Sequence, residues 1–192
     1  MKGKLTLRNA LICCAFVLAV VVFVMSFLAA YRYEYVMMGN HDTTINGIIW
    51  GAKTYKDIYT LGNTTTVTNG TYDKPYDPAT LGLVGTLLVF VGALAAVVVV
   101  LVLKESKARK FVLIGAGALV VVGAVLTFFT VESFYASYAK ANNMTVQDVK
   151  DMLKNWDAKV HCALPIVMGI LGVVSGGAIV CSQFISDKKL GK

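Results

Sequence analysis

The residues best suited to proton transfer, thiol chemistry or metal ligation are two histidines, four cysteines and 11 carboxylates, and their spacing limits what they can do. His41 stands beside Asp42 and His161 stands alone far along the chain, so a zinc site would have to recruit distant carboxylates without a ligand-spaced motif. His41 reads instead as a turn residue and His161 as an interfacial one. Asp73 and Asp77 flank Lys74-Pro75, a solvated turn rather than a general acid and base held toward a substrate. Cys13 and Cys14 are adjacent in the first apolar run, while Cys162 opens the last one and Cys181 lies within it. A membrane thiol oxidoreductase needs paired cysteines exposed in an outer loop, and the body of neither long polar loop holds one. Cys13 and Cys14 read as small apolar filler, with palmitoylation as the alternative. No Gly-rich phosphate loop or nucleophile elbow occurs. The expectation is a protein without catalysis, cofactor or metal.

The elements that hold these residues are set by apolar runs. With 57% hydrophobic and 15% charged residues, the chain is too apolar for an ordinary soluble domain of 192 residues. Four stretches lack Asp, Glu, Lys and Arg: Asn9 to Tyr31, Ala79 to Leu103, Phe111 to Val131, and Val160 to Ser186. Each exceeds the ~20 helical residues that cross a hydrocarbon core. The spacing predicts spans near 9–31, 79–103, 111–131 and 161–186 in a membrane all-α four-helix bundle. The first run exceeds the ~7–15 apolar residues of a cleavable signal, so it reads as a retained anchor.

Orientation follows from charge. The first segment, the link at 104–110 and the tail carry ten basic residues against Glu105 and Asp187, whereas the two longer loops carry eight basic and nine acidic residues. The positive-inside rule then places both termini in the cytoplasm of a multi-pass plasma-membrane protein, and the high pI reports topology and lipid headgroups, with no nucleic-acid partner.

The spans hold no ionisable carboxylate or amine, so a proton relay or coupled transporter is not expected. They do hold small residues at helical spacing: Gly85, Gly92 and Ala96 in the second, Gly115, Ala116, Gly117 and Gly123 in the third, and Gly169, Gly172 and Gly176 in the fourth. Such positions let backbones approach, and packing within one bundle is the expected use. A homo-oligomer contact through the fourth helix is the alternative.

All nine tyrosines and both tryptophans fall in or beside the two longer loops, more one-sided than an aromatic belt. The first loop, 32–78, reads as a small extracellular antiparallel β-sheet. Tyr31, Tyr33 and Tyr35 alternate with Arg32 and Glu34. Met38-Gly39-Asn40 suggests a turn, Ile48-Ile49-Trp50 and Tyr55 to Leu61 suggest strands, and Asn69-Gly70 suggests a two-residue hairpin turn. Pro75 and Pro78 end the sheet. In the second loop, 132–160, the third span is expected to continue through Ala139, followed by an extracellular amphipathic helix capped by Thr145 and Asp148. Val146, Val149, Met152, Leu153, Trp156 and Val160 share its apolar face, expected to cover the first-loop sheet. Asn63, Asn69 and Asn143 begin N-glycosylation triplets in these loops.

The layout of four spans, a β-rich first loop, a shorter second loop and a basic link, together with Gly47-Ile48-Ile49-Trp50, resembles the claudin-type superfamily, whose first loop carries a Gly-Leu-Trp segment. The family's paired first-loop cysteines are absent here. The resemblance implies lateral or trans assembly through outer loops, or modulation of a partner membrane protein. The expected function is accordingly adhesion, scaffolding or an auxiliary-subunit role, through self-association or another membrane protein, in contact with the lipid bilayer. Tyr33, Tyr35, Trp50, Tyr55, Tyr59 and Trp156 are the candidate interaction surface. A small channel or transport-complex component with its pore between subunits is the alternative.

Overall fold

The computed structural model describes residues 6–36, 40–45, 48–51, 54–71, 78–103 and 106–185; the side chains of residues 31, 33, 35, 36, 40–45, 48, 55 and 160 lie outside it. The chain divides into a helical unit, Met1–Val24, Val84–Thr127 and Met168–Lys192, and a sheet unit, Met25–Leu83 and Phe128–Val167.

Among the described residues, four helices are long and apolar enough to cross a membrane: α1 (Leu7–Met25), α2 (Thr80–Val102), α3 (Lys107–Thr127) and α6 (Ala163–Ser182). Within the helical unit, α1 turns Ile12, Ala15, Ala19 and Val22 inward at the 3- and 4-residue steps of one helix face. Phe90 of α2 stacks on Phe23 of α1 at 4.7 Å, and Ser175 of α6 donates a hydrogen bond to the Ala15 carbonyl oxygen at 2.8 Å. The α2–α3 and α3–α6 contacts close where side chains are missing. A Cβ on Gly85 would stand 2.6 Å from the Gly123 carbonyl, and one on Gly176 would stand 2.8 Å from that of Gly117. Gly92 faces Val120, Gly172 faces Ala124, and Gly169 is buried. The opposite faces are apolar too: Val17, Val24, Val91, Leu101, Val122 and Val174 are all more than half exposed.

Among the described residues, the sheet unit holds five antiparallel strands, β1 (Tyr31–Val36), β2 (Asn40–Ile45), β3 (Thr54–Leu61), β4 (Thr64–Thr71) and β5 (Lys159–His161), in the order β4-β3-β2-β1-β5. Of the expected first turn, Met38 and Gly39 lie outside the described residues and Asn40 begins β2; Pro75 also lies outside them. Two local readings are corrected. Ile48–Trp50 forms a 3₁₀ turn rather than a strand, with Ile49 fully buried. The β3–β4 turn is Gly62-Asn63, not Asn69-Gly70: Leu61 pairs with Thr64, and Asn69 and Gly70 pair with Lys56 and Tyr55 inside the ladder. Gly62 has φ +59° at the first loop position, where a type II′ turn takes glycine. This placement lets two eight-residue strands pair over their whole length, whereas a turn at 69–70 would leave a short return strand before Pro75.

The second loop also departs from expectation. Helix α3 stops at Thr127, whose hydroxyl donates to the Ala124 carbonyl at 2.7 Å, and a turn at Phe128-Phe129 precedes a separate α4 (Thr130–Ala141). Helix α5 (Val146–Asn155) then begins with the expected capping box. The Asp148 amide donates to Thr145 Oγ1 at 3.1 Å, and the Thr145 amide donates to Asp148 Oδ2 at 2.8 Å. Both α4 and α5 end in Schellman motifs. Asn143 and Asp157 take the left-handed conformation (φ 53° and 48°), and the Met144 and Ala158 amides donate to the carbonyls of Ala139 and Leu153, each at 2.9 Å. Helix α5, with Val149 and Leu153 buried, packs against α4: Lys150 Nζ lies 2.8 Å from Glu132 and 5.6 Å over the Tyr135 ring. The separate α4 supplies buried Phe134 and Tyr135 as an apolar partner adjacent in sequence.

Candidate functional site

Strand pairing sets the positions of the aromatic candidates. Tyr31, Ile45 and Tyr55 form one cross-strand row, Tyr35, His41 and Tyr59 another, with Tyr33, Thr43 and Asp57 between them. The side chains of Tyr33, Tyr35 and Tyr55 lie outside the described residues; that of Tyr59 is half-buried.

Trp50 occupies an anchor within the sheet unit. Its indole Nε1–H donates to the Ser26 hydroxyl at 2.7 Å, and its ring stacks on Phe27 with centroids 5.1 Å apart and planes 5° from parallel. Ser26 is fully buried, so the indole supplies a hydrogen bond to a hydroxyl shielded from water. Trp156 sits at the C-terminal end of α5 and is 38% exposed. Burial raises the Tyr138 phenol above its ordinary value, and the hydroxyl and amide of Thr145 hold the Asp148 carboxyl below its own.

Register brings together a charged cluster that sequence reading missed. Arg32 on β1 pairs directly with His161 on β5, and Glu34 pairs with Lys159. The Glu34 carboxylate lies 3.0 Å from Arg32 through one oxygen and 3.5 Å from His161 Nε2 through the other. Its only sequence signal was the alternation of Arg32 and Glu34, because the partner strand is three residues long and separated by most of the chain. Among the described residues, no group of three His, Cys, Asp or Glu side chains is placed to hold a metal.

A second feature is β4 itself. It ends the sheet opposite β5, and among the described residues it hydrogen-bonds only to β3. Its eight residues, Thr-Thr-Thr-Val-Thr-Asn-Gly-Thr, carry no charge and no proline, and every one is exposed except half-buried Gly70. Exposed edges of this kind pair with further strands unless charge, proline, a bulge or shortness prevents it. The opposite edge, β5, is short and bears Lys159 and His161.

No protein-family model matches this sequence, and no curated protein matches it.

Proposed function

We propose that the chain is a claudin-like, multi-pass plasma-membrane protein that crosses the bilayer through α1, α2, α3 and α6, keeps both termini in the cytoplasm, and works without catalysis by assembling copies of itself through an extracellular sheet unit. The four apolar helices with exposed apolar faces, and an antiparallel sheet drawn largely from the first loop, fit the claudin-type layout. Lipid is the solvent that such outward faces favour. The basic residues concentrated at the two ends and the 104–110 link support the orientation.

The observation that carries the assembly reading is the uncharged edge strand β4. Antiparallel pairing of β4 with β4 of a second copy about a twofold axis satisfies both rows of backbone donors and acceptors and brings no like charges together. Single cysteines at Val67 and Thr68, mid-strand, test it in a background where Cys13, Cys14, Cys162 and Cys181 are replaced by serine. Oxidation in native membranes is expected to give a chain–chain disulfide at one of these positions and none at Gln147 on α5. A strict monomer, or cross-linking only to a different membrane protein, contradicts self-assembly.

A further inference from the structure

The open edge of β4 has a phase that limits how a second copy can meet it. Leu61 and Thr64 flank the two-residue loop Gly62-Asn63, and in such a hairpin the flanking residues exchange backbone hydrogen bonds. Hydrogen-bonded and non-hydrogen-bonded pairs then alternate along the ladder. Thr64, Thr66, Thr68 and Gly70 therefore turn their amides and carbonyls toward β3, whereas Thr65, Val67, Asn69 and Thr71 turn theirs to the open edge. The hydroxyls of Thr60 and Thr65, 3.3 Å apart, fit this phase, because side chains stand closer across a non-hydrogen-bonded pair.

A twofold axis that joins two antiparallel copies of one strand is perpendicular to the sheet, so one residue lies on the axis and faces itself. Val67 and Thr68 are the two centres that give the longest overlap of β4 with itself. Around Thr68, Thr65 meets Thr71 of the second copy and Val67 meets its Asn69, so every outward-facing residue is paired within the strand. Around Val67, Thr65 meets Asn69 and Val67 meets itself, but Thr71 falls opposite Asn63 in the turn. The further backbone hydrogen bonds of the Thr68 centre outweigh the single valine pair of the other. Charge does not oppose it. The charged residues of β3 are Lys56 and Asp57. Asp57 is opposite Thr68, so the two Asp57 copies stand three strand spacings apart, about 14 Å, where salt screens them; Lys56 is opposite Asn69 and lies farther from its own copy.

We infer that the self-assembly proposed above is a closed dimer, one continuous sheet of two five-stranded halves with Thr68 on the twofold axis. This rests on the reading that β4 pairs with β4. The dimer closes because pairing consumes β4, and the far edge, β5, is three residues long and bears Lys159 and His161.

The test oxidises single-cysteine variants of the full chain in native membranes, in the cysteine-free background. Directly opposed residues of a non-hydrogen-bonded pair fit a disulfide, whereas diagonal neighbours at about 7–8 Å do not. Thr68→Cys should therefore give about tenfold more chain–chain disulfide than Val67→Cys or Asn69→Cys alone. Val67→Cys and Asn69→Cys chains expressed together should link to each other. Thr68→Lys, which sets two like charges on the axis, should weaken the dimer about fivefold, and expression with Thr68→Glu should restore it. Native mass spectrometry of the unlinked chain after mild extraction should show two copies. Stronger linking of Val67→Cys to itself than of Thr68→Cys overturns this register, and assemblies larger than two overturn closure; both leave pairing through β4 standing. A strict monomer with no disulfide at any β4 position overturns the self-assembly reading itself.

Discussion

In the helical unit the α2–α3 and α3–α6 helix pairs approach where side chains are missing; in the sheet unit several contacts are joined through side-chain ends. Gly85 against Gly123 and Gly117 against Gly176 bring backbones together. Trp50 against Ser26, Lys150 against Glu132, and Thr145 against Asp148 are joined through an indole, an ammonium and a hydroxyl. The difference follows from what each must bury. A helix apolar on every face gains nothing from hydrophobic segregation in lipid, so its association depends on close van der Waals approach. The sheet unit must instead satisfy helix ends and strand edges with caps and hydrogen bonds.

The comparison breaks first if the glycines are dispensable. Gly85→Ala places a methyl 2.6 Å from a backbone carbonyl and 2.9 Å from the Thr127 nitrogen, and should cost ~2–3 kcal/mol in thermal unfolding in detergent. Gly115→Ala, with nothing within 4 Å, should be neutral or gain up to ~1 kcal/mol from helix propensity. Equal behaviour of the two variants would show that backbone approach does not hold the bundle. In the sheet unit, Trp50→Phe keeps a ring for Phe27 to stack on but removes the donor to buried Ser26, and should cost ~1–2 kcal/mol. Restoration by Ser26→Ala in that background would assign the loss to the indole–hydroxyl hydrogen bond.

Gly62→Ala should destabilise the β3–β4 hairpin by about 1 kcal/mol because φ is +59°, while Gly70→Thr inside β4 should be tolerated. The reverse ranking would return the turn to 69–70. The smallest effect is at α5. Thr145→Ala should cost ~0.5–1 kcal/mol and flatten the acid limb of stability, followed by Trp156 fluorescence. The Asp148 carboxyl is held below its ordinary value, so its contribution is present above the unfolded-state pKa and is lost as pH falls through the folded one. Wild type should therefore lose more stability on acidification than the variant.

Sequence reading reached the long apolar helices and the α5 cap because each rests on a local pattern: uncharged runs of helical length, and Thr145 three residues before Asp148. It missed β2, Asn40–Ile45, because a polar segment between two neighbouring strands is held by their ladders and shows no apolar alternation. Gly62-Asn63 was also a legible turn dipeptide, but Asn69-Gly70 is the stronger local signal, and only pairing along the full strands separates them. The break before α4 and the Arg32–Glu34–His161 cluster depend on contacts between residues far apart in sequence or on a single hydroxyl, which periodicity does not encode. Trp50 was picked out by residue type, whereas its engagement with Ser26 and Phe27 became visible only in three dimensions.

The most direct test of the account is the sidedness of three single cysteines, Thr68→Cys on β4, Gln147→Cys on α5 and Ser106→Cys before α3, each in the cysteine-free background. With a membrane-impermeant maleimide on intact cells, the first two should label at once and Ser106→Cys only after permeabilisation. Labelling of Ser106→Cys in intact cells, or protection of Thr68→Cys and Gln147→Cys until permeabilisation, would contradict the four-span arrangement with its sheet unit outside.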